Sequence, residues 1–354
     1  MRGRRRRSSA QPSEDLIHVF NSQANAGPQP LPRTAGLRMT AATRLAVVMP
    51  VYEDSEASSR LIKELARTQG PGTYIVAVDD GSVRQPVELA QISDAGLSGV
   101  VVRLRRNVGH QRAIAIGLSY AADTLGDDTR VVVMDSDGED TPDSIGELLD
   151  ALDAPDVDVV VATRRSRVET LRFRAFYVIY RRLFALLSGH KISFGNFMAA
   201  EMSSVRRLAA MPELWIHVAA SVLHSKLRIT TRALDRGPRY AGATKMNFVG
   251  LTLHGFRALM VFADDVLVRV GGACILVASL SVAGGLLAVG LKTFGFATPG
   301  WFSLAAGILL LVFLQTAAMT LIILMLSGTL RTSGVTTANA YREYVADVLH
   351  THAD

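Results

Sequence analysis

Cysteine is nearly absent from this chain of 354 residues. The single Cys274 excludes an intrachain disulfide and a cysteine metal cluster, and its apolar surroundings make it a small packed residue. No Gly-x-Gly-x-x-Gly follows the first apolar strand, which argues against a dinucleotide-binding oxidoreductase. The arginine-rich start is not followed by an apolar h-region, so it does not read as a secretory signal peptide. Charge is missing from two long stretches, Val270 to Leu291 and Thr293 to Leu330. Each exceeds the length of about 20 residues that spans a bilayer.

The residues present are unevenly placed. Hydrophobic residues make up 49% and mean hydropathy is +0.24, high for a soluble enzyme, with the excess near the C-terminus. Net charge is +6, and arginines gather at the N-terminus and again between 164 and 182. Such a balance fits nucleic acid, an anionic membrane face or a phosphorylated ligand. The apolar stretches favour the last two and no nucleic-acid role is expected. Residues 1–43 read as a disordered basic arm rich in Ser, Pro, Gln, Asn and Gly.

From Arg44 onward, apolar strands alternate with helices. Leu45 to Met49 is followed by Pro50, Tyr52 and Glu53. A strand at Tyr74 to Val78 ends in Asp79-Asp80-Gly81-Ser82, and a helix is expected near 86–95. Val100 to Leu104 leads to Asn107-Val-Gly-His110 and a helix from Gln111 to Ala122. Val131 to Met134 runs into Asp135-Ser-Asp137-Gly-Glu-Asp140-Thr-Pro142. Val157 to Ala162 ends in a run containing Arg164, Arg165 and Arg167. This alternation predicts a mostly parallel sheet with right-handed crossovers, each strand delivering polar residues at its C-terminal edge, where open α/β sheets bind ligands. Carboxylates crowded at such an edge repel one another. A divalent cation held by Asp135 and Asp137, with phosphate oxygens completing the shell, relieves that repulsion. The plainer reading is a solvated acidic turn that caps the next helix at Asp140 or Thr141. His217, His224 and His254 lack metal-ligand spacing and read as structural.

The stretch 171–187 reads as a basic, aromatic helix with an apolar side through Phe176, Ile179, Leu183 and Leu186, suited to a membrane surface. A second such helix is expected over 248–266. Two transmembrane helices, about 268–291 and 302–328, form a hairpin over 267–330, with Trp301 as an interface anchor. Only Lys292 lies beside the hairpin loop, whereas Arg269 and Arg331 flank the other side. By the positive-inside rule the catalytic domain and both termini are cytoplasmic, in a multi-pass protein of the inner or plasma membrane. Residues 331–354 read as a polar tail with a short helix at 339–349.

Taken in order, Pro50-Val-Tyr-Glu53, Asp79-Asp-Gly-Ser82, Asn107-Val-Gly-His110 and Asp135-Ser-Asp137 with Asp140-x-Pro142 resemble the signatures of family-2 glycosyltransferases of the GT-A fold. Arg164 to Arg167 and Arg239-Tyr-Ala-Gly-Ala-Thr-Lys245 resemble elements of the polyprenyl-phosphate glycosyltransferases, the group of bactoprenol glucosyltransferase and dolichyl-phosphate mannose synthase. The likeness covers about 44–330, with the GT-A domain over 44–247. It implies an inverting transfer of a sugar from a nucleotide-diphosphate donor to a polyprenyl phosphate. Pro50, Tyr52, Glu53, Asp80 and Asp135 would line the nucleotide pocket. Asp135 and Asp137 would hold Mg2+ or Mn2+, and Asp137, Asp140 and Asn196 would form the catalytic group. Arg164, Arg165, Arg167, Arg239 and Lys245 would bind the acceptor phosphate, since guanidinium forks match phosphate oxygens.

Two departures bear on the acceptor. Where close relatives carry Gly-Asp-Phe-Arg, this chain has Gly195-Asn196-Phe197-Met198, and Asn196 cannot take a proton. A sugar hydroxyl needs a base, whereas a phosphate monoester, with a second pKa near 6, is already largely ionised. Asn196 therefore leans toward a phosphate acceptor, with Asp140 or Glu139 left as alternative bases. The usual Gly-Glu-Tyr near the end is missing and Gln315 sits mid-span, which bears on homo-oligomer contacts through the membrane helices. Rival readings are a hydroxyl acceptor on a glycolipid or polysaccharide, and a non-catalytic membrane scaffold. A processive synthase is disfavoured by the lack of a Gln-x-x-Arg-Trp.

Overall fold

The computed structural model describes residues 45–164, 171–192, 194–240, 248–296, 300–332 and 339–351. The expectations for the N-terminal arm and for Arg165, Arg167 and Lys245 lie outside these residues.

One mixed sheet organises the catalytic part. Its strands are β1 (Leu45–Val51), β2 (Thr73–Asp79), β3 (Ser98–Leu104), β4 (Arg130–Val133), β5 (Val159–Arg164), β6 (Met198–Glu201), β7 (Ile229–Leu234) and β8 (Val345–His350). The spatial order is β7-β5-β6-β4-β1-β2-β3-β8. Strands β3, β2, β1 and β4 run parallel, as do β5 and β7, while β6 opposes both β4 and β5. Every residue of β1 and β2 is buried, which is why these strands are continuous apolar runs and do not alternate.

Helices cover both faces. One face holds α1 (Ser55–Gln69), the short α2 (Ala90–Ser93) and α4 (Ile145–Leu152); Leu61, Ile62, Leu65, Ile92 and Leu148 pack there on Val47, Ile75 and Val132. The other face holds α3 (His110–Thr124), α6 (Met202–Ala209) and α7 (Val218–His224), with Ile114, Leu118, Val205 and Val222 on Val48, Val76 and Val133. A third, smaller core lies away from the sheet, where Phe184 of α5 (Leu171–Ser188) meets Ala220 of α7, and Ala258 and Val261 of α8 (Phe248–Val261). On α5 the buried anchor is Phe184, whereas Leu183 and Leu186 are exposed. From α8 the chain enters α9 (Ala263–Thr293) and returns as α10 (Trp301–Thr332). These are two helices apolar and long enough to cross a membrane.

Two expectations need correction. The helix expected near 86–95 is only the single turn Ala90–Ser93. The helix expected at 339–349 is a 3-10 turn, Ala340–Glu343, followed by β8, which pairs antiparallel with β3. The reason is tertiary: the exposed edge of β3 offers unpaired N–H and C=O groups, and Val345-Ala-Asp-Val-Leu-His350 satisfies them. Tyr341 is buried in the main core and its hydroxyl donates to Asp123 at 2.7 Å. The last strand of the sheet thus comes from beyond the apolar hairpin.

Candidate active site

Strand direction gathers the polar residues. The C-terminal ends of β1 to β5 and of β7 meet at one sheet edge, and β6 starts there because it runs the other way. Val133 of β4 pairs with Met198 of β6. Asp135 and Asn196, each two residues beyond that pair, are thereby brought together.

Three carboxylates on the donor side wire the loops to one another. Glu53, in the left-handed region at φ 47°, accepts from the amides of Val83 (2.9 Å), Arg84 (3.0 Å) and Gln85 (2.8 Å). The Val83 amide leads in holding its pKa below the usual carboxylate value. Asp79 accepts from Ser82 and Val87, and Asp80 from Val108 at 2.7 Å and Gly109 at 3.0 Å. Burial pushes the Asp80 pKa up even so. The loops after β1, β2 and β3 are therefore one hydrogen-bonded wall. Tyr52 stands on it 44% exposed, and Pro50 lies buried inside β1.

The acidic turn faces this wall. Gly138 adopts φ +83°, and an added Cβ would lie 2.4 Å from the Tyr240 ring, so only glycine lets the segment after β7 lie against the turn. The backbone of that segment is tied down, Gly237 N–H to Glu139 O and Tyr240 N–H to Asp137 O, each at 2.9 Å. Two arginines follow from this seating. Arg239 pairs with Asp137 at 2.9 Å and Glu139 at 3.2 Å. Arg236 pairs with Glu139 and, at 3.4 Å, with Asp140. Arg239, expected at the acceptor phosphate, is thus committed to the acidic turn, and Arg164 lies exposed at the end of β5. Arg236 was not singled out from sequence. Its one signal is the Arg236-Gly-Pro-Arg239 spacing directly after a strand.

The carboxylates differ in environment. Asp140 is 3% exposed and accepts the Asp135 N–H at 3.2 Å. Burial, followed by the neighbouring Asp135 charge, raises its pKa to about 7. Burial leads in raising the Asp137 pKa too. For Asp135, burial opposes the charge but the His110 ring and both arginines outweigh it, so its pKa is lowered. Asp135 Oδ1 is closed to solvent and accepts no hydrogen bond, although His110 Nε2 lies 3.2 Å away. Burial likewise disfavours a charged His110, and Asp135 beside it wins, leaving that ring's pKa above the usual histidine value. Asn196 Oδ1 accepts from Gln111 Nε2 at 3.1 Å, and Asn196 Nδ2 lies 3.0 Å from His110 Nε2.

A divalent cation fits this chemistry on the donor side. The residues present are an unpartnered buried carboxylate oxygen on Asp135 and a second carboxylate, Asp137, held by the Glu139 N–H and Arg239. Among the described residues no three ligating side chains converge into a closed metal site. An open site of two carboxylates is what a cation shared with donor phosphates requires.

A doubly wound sheet that gathers polar loops at its C-terminal edge defines an α/β protein with its ligand site at that edge. Residues 46–207 match the family described as Glycosyl transferase family 2, and the chain is a glycosyltransferase carrying that family's domain in the GT-A fold. An uncharacterized glycosyltransferase of Synechocystis sp., sll0501, is 29% identical over 75% of this chain and 85% of its own length. Dodecaprenyl-phosphate galacturonate synthase of Rhizobium johnstonii is 24% identical over 57% of this chain and 61% of its own. Glucosyl-3-phosphoglycerate synthase from Mycobacterium tuberculosis, solved with Mn2+, UDP-glucose and phosphoglyceric acid, has a TM-score of 0.45 at 20% identity, over 64% of this chain and 79% of that one. That likeness is too loose to carry a ligand across.

Proposed function

We propose that this glycosyltransferase moves a sugar from a nucleotide diphosphate to a polyprenyl phosphate at the cytoplasmic face of the membrane. What supports the acceptor class is that the candidate bases among the described residues are all engaged, Glu139 by Arg236 and Arg239. Asn196 cannot take a proton and is hydrogen-bonded at both ends. Asp140 has a suitable pKa but is buried against the Asp135 amide and Arg236, out of reach of an acceptor hydroxyl. A phosphate monoester needs no base. Two helices apolar and long enough to cross a membrane support a lipid acceptor, as does a relative at 24% identity named for dodecaprenyl phosphate.

The geometry supports the following roles. Tyr52 offers a ring face to the nucleotide base, and the wall built by Glu53, Asp79 and Asp80 fixes the loops around it. Asp135 and Asp137 hold Mg2+ or Mn2+ on the diphosphate. The cation, when bound, supplies positive charge to the departing nucleoside diphosphate. Arg236 and Arg239 balance the acidic turn until the donor binds, and Arg239 is then released toward phosphate. Arg164 begins the basic stretch that receives the acceptor, whose attack inverts the anomeric carbon in one displacement. The hairpin crosses the membrane with Arg269 and Arg331 on the cytoplasmic side.

The test incubates membranes carrying the full chain with labelled nucleotide sugars and polyprenyl phosphate. A mild-acid-labile lipid-linked monosaccharide is expected. Asp137→Ala should abolish it while the protein stays folded. Wild-type turnover by that variant refutes the metal assignment, and a product stable to mild acid refutes the phosphate acceptor.

A further inference from the structure

His217 and His254 are distant in sequence but meet ring to ring, with Nε2 atoms 3.0 Å and centroids 4.3 Å apart. His217 caps α7, its Nδ1 accepting the Ala220 N–H at 3.2 Å. The proton of the neutral ring is therefore on Nε2 and is donated to His254 Nε2 on α8. In the same cap, the Val218 N–H donates to Gln111 Oε1 at 2.7 Å. A backbone N–H can only donate, so the Gln111 amide is fixed in orientation and its Nε2 donates to Asn196 Oδ1. That fixes Asn196 in turn, whose Nδ2 is turned to His110 Nε2 at 3.0 Å. The same Nε2 lies 3.2 Å from Asp135 Oδ1. The α7 cap joins the two halves of this line, the histidine pair at His217 and the Gln111–Asn196 amides at the next residue, Val218.

The outer end of the line is α8. Leu253, Phe256 and Met260 are exposed on it, and it leads directly into the apolar α9. Its inner side is held close, since a Cβ on Gly255 would lie 2.6 Å from the Tyr180 ring. Gln111 and His217 are both buried, so a lost partner leaves a polar group unsatisfied and shifts its neighbours. Asparagine at 196 suits the line because it accepts at one end and donates at the other. An aspartate there would accept at both.

We propose that Gln111, His217 and His254 are positioning residues. Through Asn196 and His110 they transmit the seating of α8 on the lipid bilayer to the Asp135 carboxylate. The inference rests on the proposed function only in taking Asp135 as part of the site. Its first readout involves no transfer, so the two fail separately.

The test uses the full chain in lipid nanodiscs with 15N-labelled histidine, at about pH 8 where His217 and His254 are neutral. His254→Leu should move the His110 ring nitrogen resonances and lower kcat/KM for the donor about tenfold. His254→Gln, whose amide oxygen accepts from His217, should keep both near wild type. Adding Gln111→Met to His254→Leu should cost little more, because links in one line are not additive. Unchanged His110 resonances in His254→Leu, or losses that multiply in the double variant, overturn the proposal. Should His254→Leu fail to fold, Gln111→Met alone must move the His217 and His254 resonances, and their constancy overturns it equally.

Discussion

Acidification should loosen the junction between α7 and α8 before it unfolds the sheet. Both nitrogens of His217 are already used, one accepting from the Ala220 amide and one donating to His254. Protonation would break the cap, and protonating His254 at Nε2 would set two N–H groups face to face. Burial, followed by the His254 ring, pushes the His217 pKa down to about 3, and burial lowers that of His254. The sign follows from linkage. The unfolded ring binds a proton below about pH 6.5 and the folded one does not, so this stability is complete above that pH and is lost as pH falls toward 3. The slope is about 1.4 kcal/mol per pH unit for one group. Between about pH 6.5 and about pH 5, His217 alone costs about 2 kcal/mol. That corresponds to a fall in Tm of about 5 °C for a unit of this size. The control is His217→Asn, which keeps a capping side chain and removes the titration. Thermal unfolding and amide exchange of α7 and α8 should show the wild type losing about 2 kcal/mol more than the variant over that interval. Equal losses in both proteins would refute the neutral-pair reasoning.

Four further outcomes are expected. Gly138→Ala places a Cβ against the Tyr240 ring at a positive φ; it should displace the segment bearing Arg236 and Arg239 and cost about 2–3 kcal/mol, read by denaturant unfolding. Asp140→Asn should lower transfer less than about tenfold, because the buried carboxyl is not the base; a loss of about 100-fold or more would assign it that role. Tyr341→Phe removes the 2.7 Å bond to Asp123 and should cost about 1 kcal/mol. Deleting residues 339–354 should do far more, exposing the β3 edge and leading to aggregation of the purified protein.

The inner strands and the apolar helices were legible because their signals are local. Continuous valine and isoleucine runs can only be buried, and an uncharged stretch longer than a bilayer has few soluble homes. The acidic turn at 135–140 was legible for the same reason, as a strand that runs into carboxylates. Strand β6, with four residues, carries too little pattern to be read alone, yet its register is what brings Asn196 to Asp135. Strand β8 was misread as helix because nothing in Val345-Ala-Asp-Val-Leu-His350 declares a partner 240 residues or so earlier in the chain; pairing with β3 decides it. His217 and His254 read as structural by spacing, and spacing along the chain cannot show that two rings will share a proton.

The acidic turn itself looks different once its neighbours are in place. Four acidic residues within six positions would repel strongly if left to water and each other. Each has found a separate balance: Asp140 an amide and Arg236, Glu139 both arginines, Asp137 Arg239, and Asp135 the edge of a histidine ring. Of these, the balance at Asp135 is the poorest, since one of its oxygens accepts no hydrogen bond. The salt bridges at Asp137 and Glu139 come from one short segment, residues 236–239, so they can be exchanged together. Were Asp135 and Asp137 to hold a cation on a donor diphosphate, Arg239 would lose its pair with Asp137 and keep the one with Glu139 at 3.2 Å. The counter-charges sit on a segment that its backbone bonds to the turn, the space left by Gly138 and the Tyr240 contacts with Glu64 and Arg60 all hold in place, so the turn keeps its balance before a donor binds.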